Sequence, residues 1–193
     1  MTKKQELEKI RNKAIACEKC ALCAGRKNVV FGDGNIDAEI IFVGEAPGKN
    51  EDEQGKPFVG SAGKILASLL EKINLKRENV YITNVVKCRP PLNRDPLFEE
   101  KDCCSDYLQK EIAVIKPRII VLLGRHAMDY FLPGLKIFLD HGKLKRKDGQ
   151  NYFPIYHPAA TIYNRALKEV LEKDFRKIPK IIEKISKTEE ANI

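Results

Sequence analysis

The chain has 193 residues, 43% of them hydrophobic and 32% charged, and its 35 Lys and Arg against 27 Asp and Glu give a net charge of +8. This composition can bury a core, which excludes a disordered polyelectrolyte. No apolar run approaches the roughly 18 residues of a membrane-spanning helix, and the charged start MTKKQELEKI lacks a secretory pattern. We therefore expect one domain over residues 1–193, cytoplasmic and without a membrane partner.

The six cysteines need an explanation, because disulfides are disfavoured in a reducing cytoplasm. The first two form a C-x-x-C pair, which can bind one side of a metal ion or cluster, and two distant cysteines can complete four thiolate ligands. Spacing does not distinguish zinc from an iron–sulfur cluster, and it leaves two cysteines as buried thiols. In chain order they are Cys17, Cys20, Cys23, Cys88, Cys103 and Cys104.

Runs rich in β-branched residues alternate with amphipathic patterns along the chain. The predicted strands are 39–44, 80–86, 118–124 and 152–157. The predicted helices are 60–75, 99–115, 124–131 and a long C-terminal helix over 163–187, interrupted at Pro179. Alternating strands and helices predict the α/β class, here a three-layer α/β/α sandwich with a central four-stranded parallel sheet.

Open parallel sheets bind ligands beyond the carboxyl ends of their strands. The segments that follow the four predicted strands are GEAPGKNEDEQGKPFVG, NVVKCRPPLNRDP, GRHAMD and HPAATIYNR. The first is a Gly-rich loop that opens a helix, as phosphate sites often do, but it matches neither dinucleotide nor P-loop spacing. Its three carboxylates would also repel a triphosphate, so the sequence disfavours nucleotide hydrolysis.

Three residues in these segments have both a structural and a functional interpretation. Phe58 is either a core residue or a stacking platform. Asn84 either caps its own turn or offers a donor and an acceptor to the edge of a heterocycle. His157 ends the fourth strand before a rigid proline and is the strongest functional candidate of the three histidines.

In this order, the strings CEKC, GEAPGKNEDEQGKPFVG, YITNVVKCRPP, Cys104 and HPAA resemble the family-four uracil-DNA glycosylases of thermophilic bacteria and archaea. The resemblance covers about residues 17–164. It implies a uracil-DNA glycosylase-like fold in a monomeric base-excision-repair enzyme, a hydrolase that releases uracil from single- or double-stranded DNA and leaves an abasic site. The alternatives are a silent iron–sulfur DNA-binding module and a glycosylase with another base preference.

The resemblance also implies how the base is recognised and the bond broken. Phe58 would stack on the flipped base, Asn84 would read its Watson–Crick edge, and Glu51 would crowd C5 and reject thymine. His157 would hydrogen-bond the uracil O2 as negative charge develops there.

The same resemblance assigns the attacking water to the loop after the first strand. Its pocket-lining residues would be Gly44, Glu45 and Ala46. Another uracil-DNA glycosylase family has an aspartate where this chain has Ala46, so Glu45 or backbone carbonyls would orient the water.

A [4Fe–4S] cluster is the cofactor that the resemblance implies. Its ligands would be Cys17, Cys20, Cys88 and Cys104, with Cys103 as the alternative fourth ligand. Cys104 is preferred because C-S-D-Y-L follows the family pattern from that position.

Basic residues near these loops are the predicted phosphate contacts, and Ile162 or Tyr163 is the predicted wedge into the duplex. The predicted DNA-binding residues are Lys87, Arg89, Arg94, Lys143, Lys145, Arg146, Ile162 and Arg165.

Overall fold

A mixed sheet runs through the middle of the fold in the computed structural model, which describes residues 1–190, so the last three residues of the predicted domain lie outside it. The strands are β1 (Asp33–Gly34), β2 (Ile40–Gly44), β3 (Tyr81–Asn84), β4 (Ile119–Leu123), β5 (Lys145–Lys147) and β6 (Gln150–Ile155). They form a six-stranded sheet in the order β1-β3-β2-β4-β6-β5. The strands β3, β2, β4 and β6 are parallel, and β1 and β5 are antiparallel edges.

The predicted four-stranded parallel sheet is therefore confirmed, with two short edge strands added to it. The missed strands have two and three residues, which is too short for an alternating pattern. One of them, β5, consists of the last three residues of the basic run GKLKRK and pairs with β6 as a hairpin.

The helices are α1 (Lys3–Ile15), α2 (Leu22–Gly25), α3 (Lys49–Gln54), α4 (Ser61–Glu71), α5 (Phe98–Ile115), α6 (Arg125–Phe131), α7 (Ile137–Asp140), α8 (Ala160–Tyr163), α9 (Leu167–Phe175) and α10 (Ile178–Glu190). The prediction of one long C-terminal helix was wrong, because α8, α9 and α10 are separate. Pro179 lies in the first turn of α10, where its missing N–H breaks no helical hydrogen bond. No helix among residues 1–190 is both long and apolar enough to cross a membrane.

Two apolar cores flank the sheet and define the three layers. Along β2, Ile41 and Val43 face one core, while Ile40 and Phe42 face the other. The first core is completed by α1, α5 and α6, and the second by α4, α9 and α10. A strand that is covered on both faces has to be apolar at every position, as β2 and β4 are.

Candidate active site

A cavity of about 560 Å³ opens where the parallel strands end. Its wall comes from the segments after β2, β3 and β6, as expected for an open parallel sheet. Six of the residues predicted to bind uracil or to act in catalysis line it, namely Glu45, Ala46, Glu51, Phe58, Asn84 and His157. Gly44 lies directly behind this wall, since a side chain there would collide with Asn84 and Phe58.

Asn84 ends β3 with its side chain buried and without a partner. The residue is 1% exposed, and neither its amide nitrogen nor its carbonyl oxygen has a hydrogen-bond partner. Buried polar groups are almost always satisfied, so an unpaired amide that lines a cavity indicates a ligand. The side chain of Asn84 caps no turn, so that interpretation of the sequence was wrong, while its role in reading a heterocycle stays a prediction.

The approach of Asn84 to Phe58 depends on Gly44. A Cβ at Gly44 would lie 2.4 Å from the Asn84 Oδ1 and 2.7 Å from the Phe58 ring. Both distances are shorter than any real contact of that kind, so only glycine leaves room for the two side chains.

Phe58 is buried among the residues of the second core, which confirms its interpretation as a core residue. It also lines the cavity, and its role as a stacking platform stays a prediction. Its backbone has a φ of 52°, a left-handed conformation that is costly for a residue with a Cβ. The guanidinium of Arg77 donates to the carbonyls of Phe58, at 2.9 Å, and of Pro57. Gly63 leaves room for this backbone, because a Cβ there would lie 2.0 Å from the Phe58 oxygen.

His157 follows β6, with its ring centroid 5.7 Å from that of Phe58. Burial, and then the nearby His126, lowers the pKa of His157 to about 4, although Glu51 opposes the shift. The ring is therefore neutral at pH 7. The Ala159 N–H donates to its Nδ1 at 3.2 Å, which leaves the proton on Nε2 as a donor.

Glu45 is a second cavity residue whose pKa is shifted. Burial, and then the neighbouring Asp95, raises the pKa of Glu45 to about 7, while Arg125 and Lys101 oppose the shift. The carboxyl is thus half-ionised near neutral pH, which suits a group that accepts a proton.

An ionic cluster connects Glu45 to two residues that the sequence did not single out as functional. His126 Nε2 lies 3.6 Å from a Glu45 oxygen and 3.2 Å from Asp95 Oδ2, which Arg125 contacts at 2.7 Å. One ligand atom each of Glu45, Asp95 and His126 fall within 4.8 Å of one another. Asp95 and His126 both lie in the segments after strands, but only the fold brings them together.

Glu51 is held in place by the loop that carries Phe58. Its Oε1 accepts hydrogen bonds from the backbone N–H groups of Val59, at 2.9 Å, and Gly60, at 2.8 Å. The carboxylate therefore fixes this loop and forms a rigid part of the cavity wall. Ala46 lines the same cavity and has no titratable group, as the sequence indicated.

Comparisons with known proteins agree with this geometry. A family model described as the uracil DNA glycosylase superfamily matches residues 31–183. A type-4 uracil-DNA glycosylase of Sulfurisphaera tokodaii is 48% identical over 184 residues, which cover 89% of this chain and 83% of the relative. The type-4 enzyme of Thermotoga maritima is 40% identical over 188 residues, covering 95% and 98%. The chain belongs to the type-4 uracil-DNA glycosylases.

Further relatives include uracil-DNA glycosylases of type 4 and of type 5. A type-4 uracil-DNA glycosylase of Saccharolobus solfataricus is 49% identical over 182 residues, covering 89% of this chain and 84% of the relative. A type-5 uracil-DNA glycosylase of Pyrobaculum aerophilum is 30% identical over 164 residues, covering 72% of each chain.

The predicted cluster cysteines affect the pKa values of one another, and so does the alternative ligand Cys103. Burial raises the pKa of Cys20, and Cys103 adds to this shift ahead of Cys17. Burial raises the pKa of Cys88, a hydrogen bond from Arg26 lowers it, and the adjacent Cys20 and Cys17 thiols raise it. Burial also raises the pKa of Cys104 to about 11, with Cys88 and Cys20 among the neighbours that add to the shift.

The spacing of these thiols bears on the choice between zinc and a larger cluster. Among residues 1–190, no three cysteine sulfurs lie within 4.8 Å of one another. Four thiolates bound to one zinc at about 2.3 Å would lie about 3.8 Å apart. The described thiols are therefore spaced more widely than thiolates that close around one zinc ion.

One predicted phosphate contact was wrong. Lys87 is 1% exposed, and its Nζ contacts Thr83 Oγ1 at 2.7 Å, the Asn84 carbonyl at 2.9 Å and the carboxylate of Glu111. A lysine at the end of a strand is usually solvated, but here α5 places the buried Glu111 directly against it. Lys87 supports the backbone of Asn84 and cannot reach DNA.

The other predicted DNA-binding residues lie in different environments. Arg94 lines the cavity but binds both oxygens of Glu100, and Arg89 donates to Asn93 at 2.8 Å. The basic residues of the hairpin lie outside the cavity wall, and one of them, Lys145, pairs with Asp140 at 2.6 Å. The predicted DNA-binding residues that are exposed to solvent are Arg94, Lys143, Arg146, Ile162 and Arg165.

Proposed function

We propose that this protein is a uracil-DNA glycosylase that hydrolyses the N-glycosidic bond of deoxyuridine in DNA. Membership of the type-4 family supports this activity. The single observation that carries the assignment to this cavity is the buried amide of Asn84, which has no partner within the described chain.

Uracil supplies the two partners that the Asn84 amide needs. The amide nitrogen would donate to uracil O4, and the amide oxygen would accept the N3–H. Cytosine offers the reverse pattern at these atoms, so both hydrogen bonds would be lost with that base. A site built to hydrogen-bond one pattern rejects the other strongly, because buried polar groups are then left unpaired.

Phe58 would supply the face on which the flipped base stacks, and Glu51 would bound the pocket. The base has to leave the helical stack, since its glycosidic bond is inaccessible within a duplex. Because Glu51 is held by two backbone N–H groups, it would not yield to an additional methyl group at C5. Such a rigid wall would exclude thymine.

Bond cleavage places negative charge on the departing uracil and positive charge on the sugar. The neutral His157 would donate its Nε2 proton to uracil O2 as that charge develops, an interaction worth about 3–4 kcal/mol in comparable sites. The water oxygen adds to C1′, the C1′–N1 bond breaks, and Glu45 in its ionised form would accept the proton that the water loses.

The proposed [4Fe–4S] cluster would be held by Cys17, Cys20, Cys88 and Cys104. When bound, such a cluster would serve as a structural crosslink between the N-terminal segment, the loop after β3 and α5. The side chain of Arg26 reinforces the same junction, donating to Cys88 Sγ at 3.5 Å and to the Cys17 carbonyl at 2.7 Å. Cys103 instead donates to the Lys19 carbonyl at 3.4 Å.

The proposal is tested with oligonucleotides that carry one uracil, thymine, cytosine or hypoxanthine, in single strands and in duplexes. We expect free uracil, and alkali-labile sites at uracil alone. Cleavage at another base would indicate a different base preference. Tight DNA binding with no abasic site would indicate a silent DNA-binding module and would overturn the proposal.

A further inference from the structure

Leu92 is exposed and strained in a way that folding does not explain. Its side chain is 95% exposed, the largest exposure among the bulky apolar residues in the described part of the chain. Its backbone has a φ of 54°, and the next residue, Asn93, has a φ of 55°. A left-handed leucine is unfavourable because its Cβ crowds the backbone, and such strain tends to occur at functional sites.

The surrounding loop holds Leu92 in this conformation. The Asn93 N–H donates to the Pro90 carbonyl at 3.1 Å, and the Arg94 N–H donates to the Pro91 carbonyl at 3.1 Å. The Arg94 guanidinium then joins the loop to Glu100 at the start of α5 through two hydrogen bonds. The leucine is therefore presented on a rigid tip and would lose little entropy on binding.

This tip lies at the mouth of the cavity that holds Asn84. Pro90, Asn93 and Arg94, on both sides of Leu92, all line that cavity. Tyr163 lines it from α8 and is 89% exposed. The prediction of a wedge at Ile162 or Tyr163 concerns helix α8 and not the loop that carries Leu92.

We propose that Leu92 inserts into duplex DNA beside the flipped nucleotide. The inference rests on the proposed function, because it needs a nucleotide extruded into the adjacent cavity. Extrusion leaves a gap in the base stack, and an apolar side chain that enters the helix offsets the loss of stacking. A single strand has no such stack to open, so it should not need Leu92.

The test compares uracil release from a duplex and from the same single strand under single-turnover conditions. Leu92→Ala removes the apolar side chain, and Leu92→Gly removes it while suiting the left-handed backbone, so at least one variant should fold normally. Leu139→Ala is the matched control, since Leu139 is an exposed leucine, at 56%, outside the cavity wall. Thermal unfolding of each variant is measured in parallel.

We expect both Leu92 variants to lose about tenfold or more on the duplex while staying within about twofold of wild type on the single strand. Leu92→Gly should unfold at the same or a higher temperature than wild type, and Leu139→Ala should match wild type on both substrates. Unchanged duplex activity would overturn the inference, as would equal losses on both substrates. If wild type released uracil from neither DNA, the proposed function itself would fail and the inference with it.

Discussion

Because Gly44, Asn84 and Phe58 pack closely, adding a single methyl group at Gly44 should disturb the site. Gly44→Ala would place a Cβ 2.4 Å from the Asn84 Oδ1 and displace the amide from the cavity. We expect uracil release to fall by about 100-fold, the effect of removing one well-placed polar contact. Gly25→Ala is the control, because nothing lies within 4 Å of a Cβ there. A Gly44→Ala protein as active as Gly25→Ala would show that the amide position does not matter.

The raised pKa of Glu45 leads to a prediction of how the rate of uracil release depends on pH. Its pKa is raised to about 7, so the ionised fraction, which would accept the proton of water, increases as the pH rises through that value. We expect kcat/KM to increase between about pH 6 and 8 with an apparent pKa near 7. His157, with a pKa lowered to about 4, stays neutral throughout this range.

Two variants separate Glu45 from Glu51 in this profile. Glu45→Gln should lower the rate and flatten its rise with pH, because the titrating group is gone. Glu51→Gln keeps one oxygen for the Val59 and Gly60 N–H groups and should keep the pH profile. A flat wild-type profile would exclude Glu45 as the group that accepts the proton.

For single residues, the sequence allowed us to choose candidates that follow strands, but it did not reveal the contacts that depend on packing. Asn84 and His157 could be chosen because they lie at the carboxyl ends of strands, where open sheets bind ligands. The burial of Lys87 could not be predicted, since it depends on Glu111 from α5. The proximity of Asp95 and His126 to Glu45 likewise joins three separate loops.

Between elements, the buried pair of Lys87 and Glu111 connects the end of β3 to α5. Glu111 also accepts from Tyr81 at 2.9 Å and from the N–H of Gly32, the residue before β1, at 2.8 Å. Removing one partner leaves the other charge unpaired in the core, which typically costs about 3–5 kcal/mol.

This pair gives a stability prediction. Lys87→Met should lower the free energy of unfolding by about 3–5 kcal/mol, and a Lys87→Met, Glu111→Leu double variant should lose less than the sum of the two single variants. Denaturant unfolding measures each value, with Lys101→Met as a control for replacing a nearby solvent-accessible lysine. Additive losses would show that the two side chains do not stabilise each other.

The four parallel strands and the helices α4, α5 and α6 could be predicted because each has a clear apolar pattern, whereas the 13-residue helix α1 was missed. All four parallel strands were predicted within two residues at both ends, and α5 within one. The short elements α3 and α7 carry no such periodicity, so their positions depend on the loops that hold them.

At the scale of the whole molecule, serine variants of the six cysteines should fall into two classes, those that lose the cluster and those that keep it. Serine at Cys17, Cys20, Cys88 or Cys104 should remove bound iron and the brown colour of a thiolate-bound cluster, which absorbs near about 400 nm. Cys23→Ser and Cys103→Ser are the matched controls and should keep both. Iron content and absorbance are measured on protein purified without oxygen. Zinc in place of iron would contradict the cluster assignment. Loss of iron in Cys103→Ser but not in Cys104→Ser would show that Cys103 is the fourth ligand.

The net charge of +8 is the whole-molecule feature that the sequence explained least well. Several of its cations are neutralised within the fold, by Glu111 for Lys87, Glu100 for Arg94 and Asp140 for Lys145. The sequence could not show this, because the anionic partners come from other elements or turns. The charges that remain exposed are the ones available to phosphates.

The central claim is that the buried, unpartnered amide of Asn84 reads uracil, and one measurement tests it most directly. Uracil release from a single-stranded oligonucleotide is compared for wild type and Asn84→Ala, with the unfolding free energy of both. Because the amide makes no hydrogen bond in the protein, we expect a rate at least about 100-fold lower with little loss of stability. Equal rates for the two proteins would contradict the account.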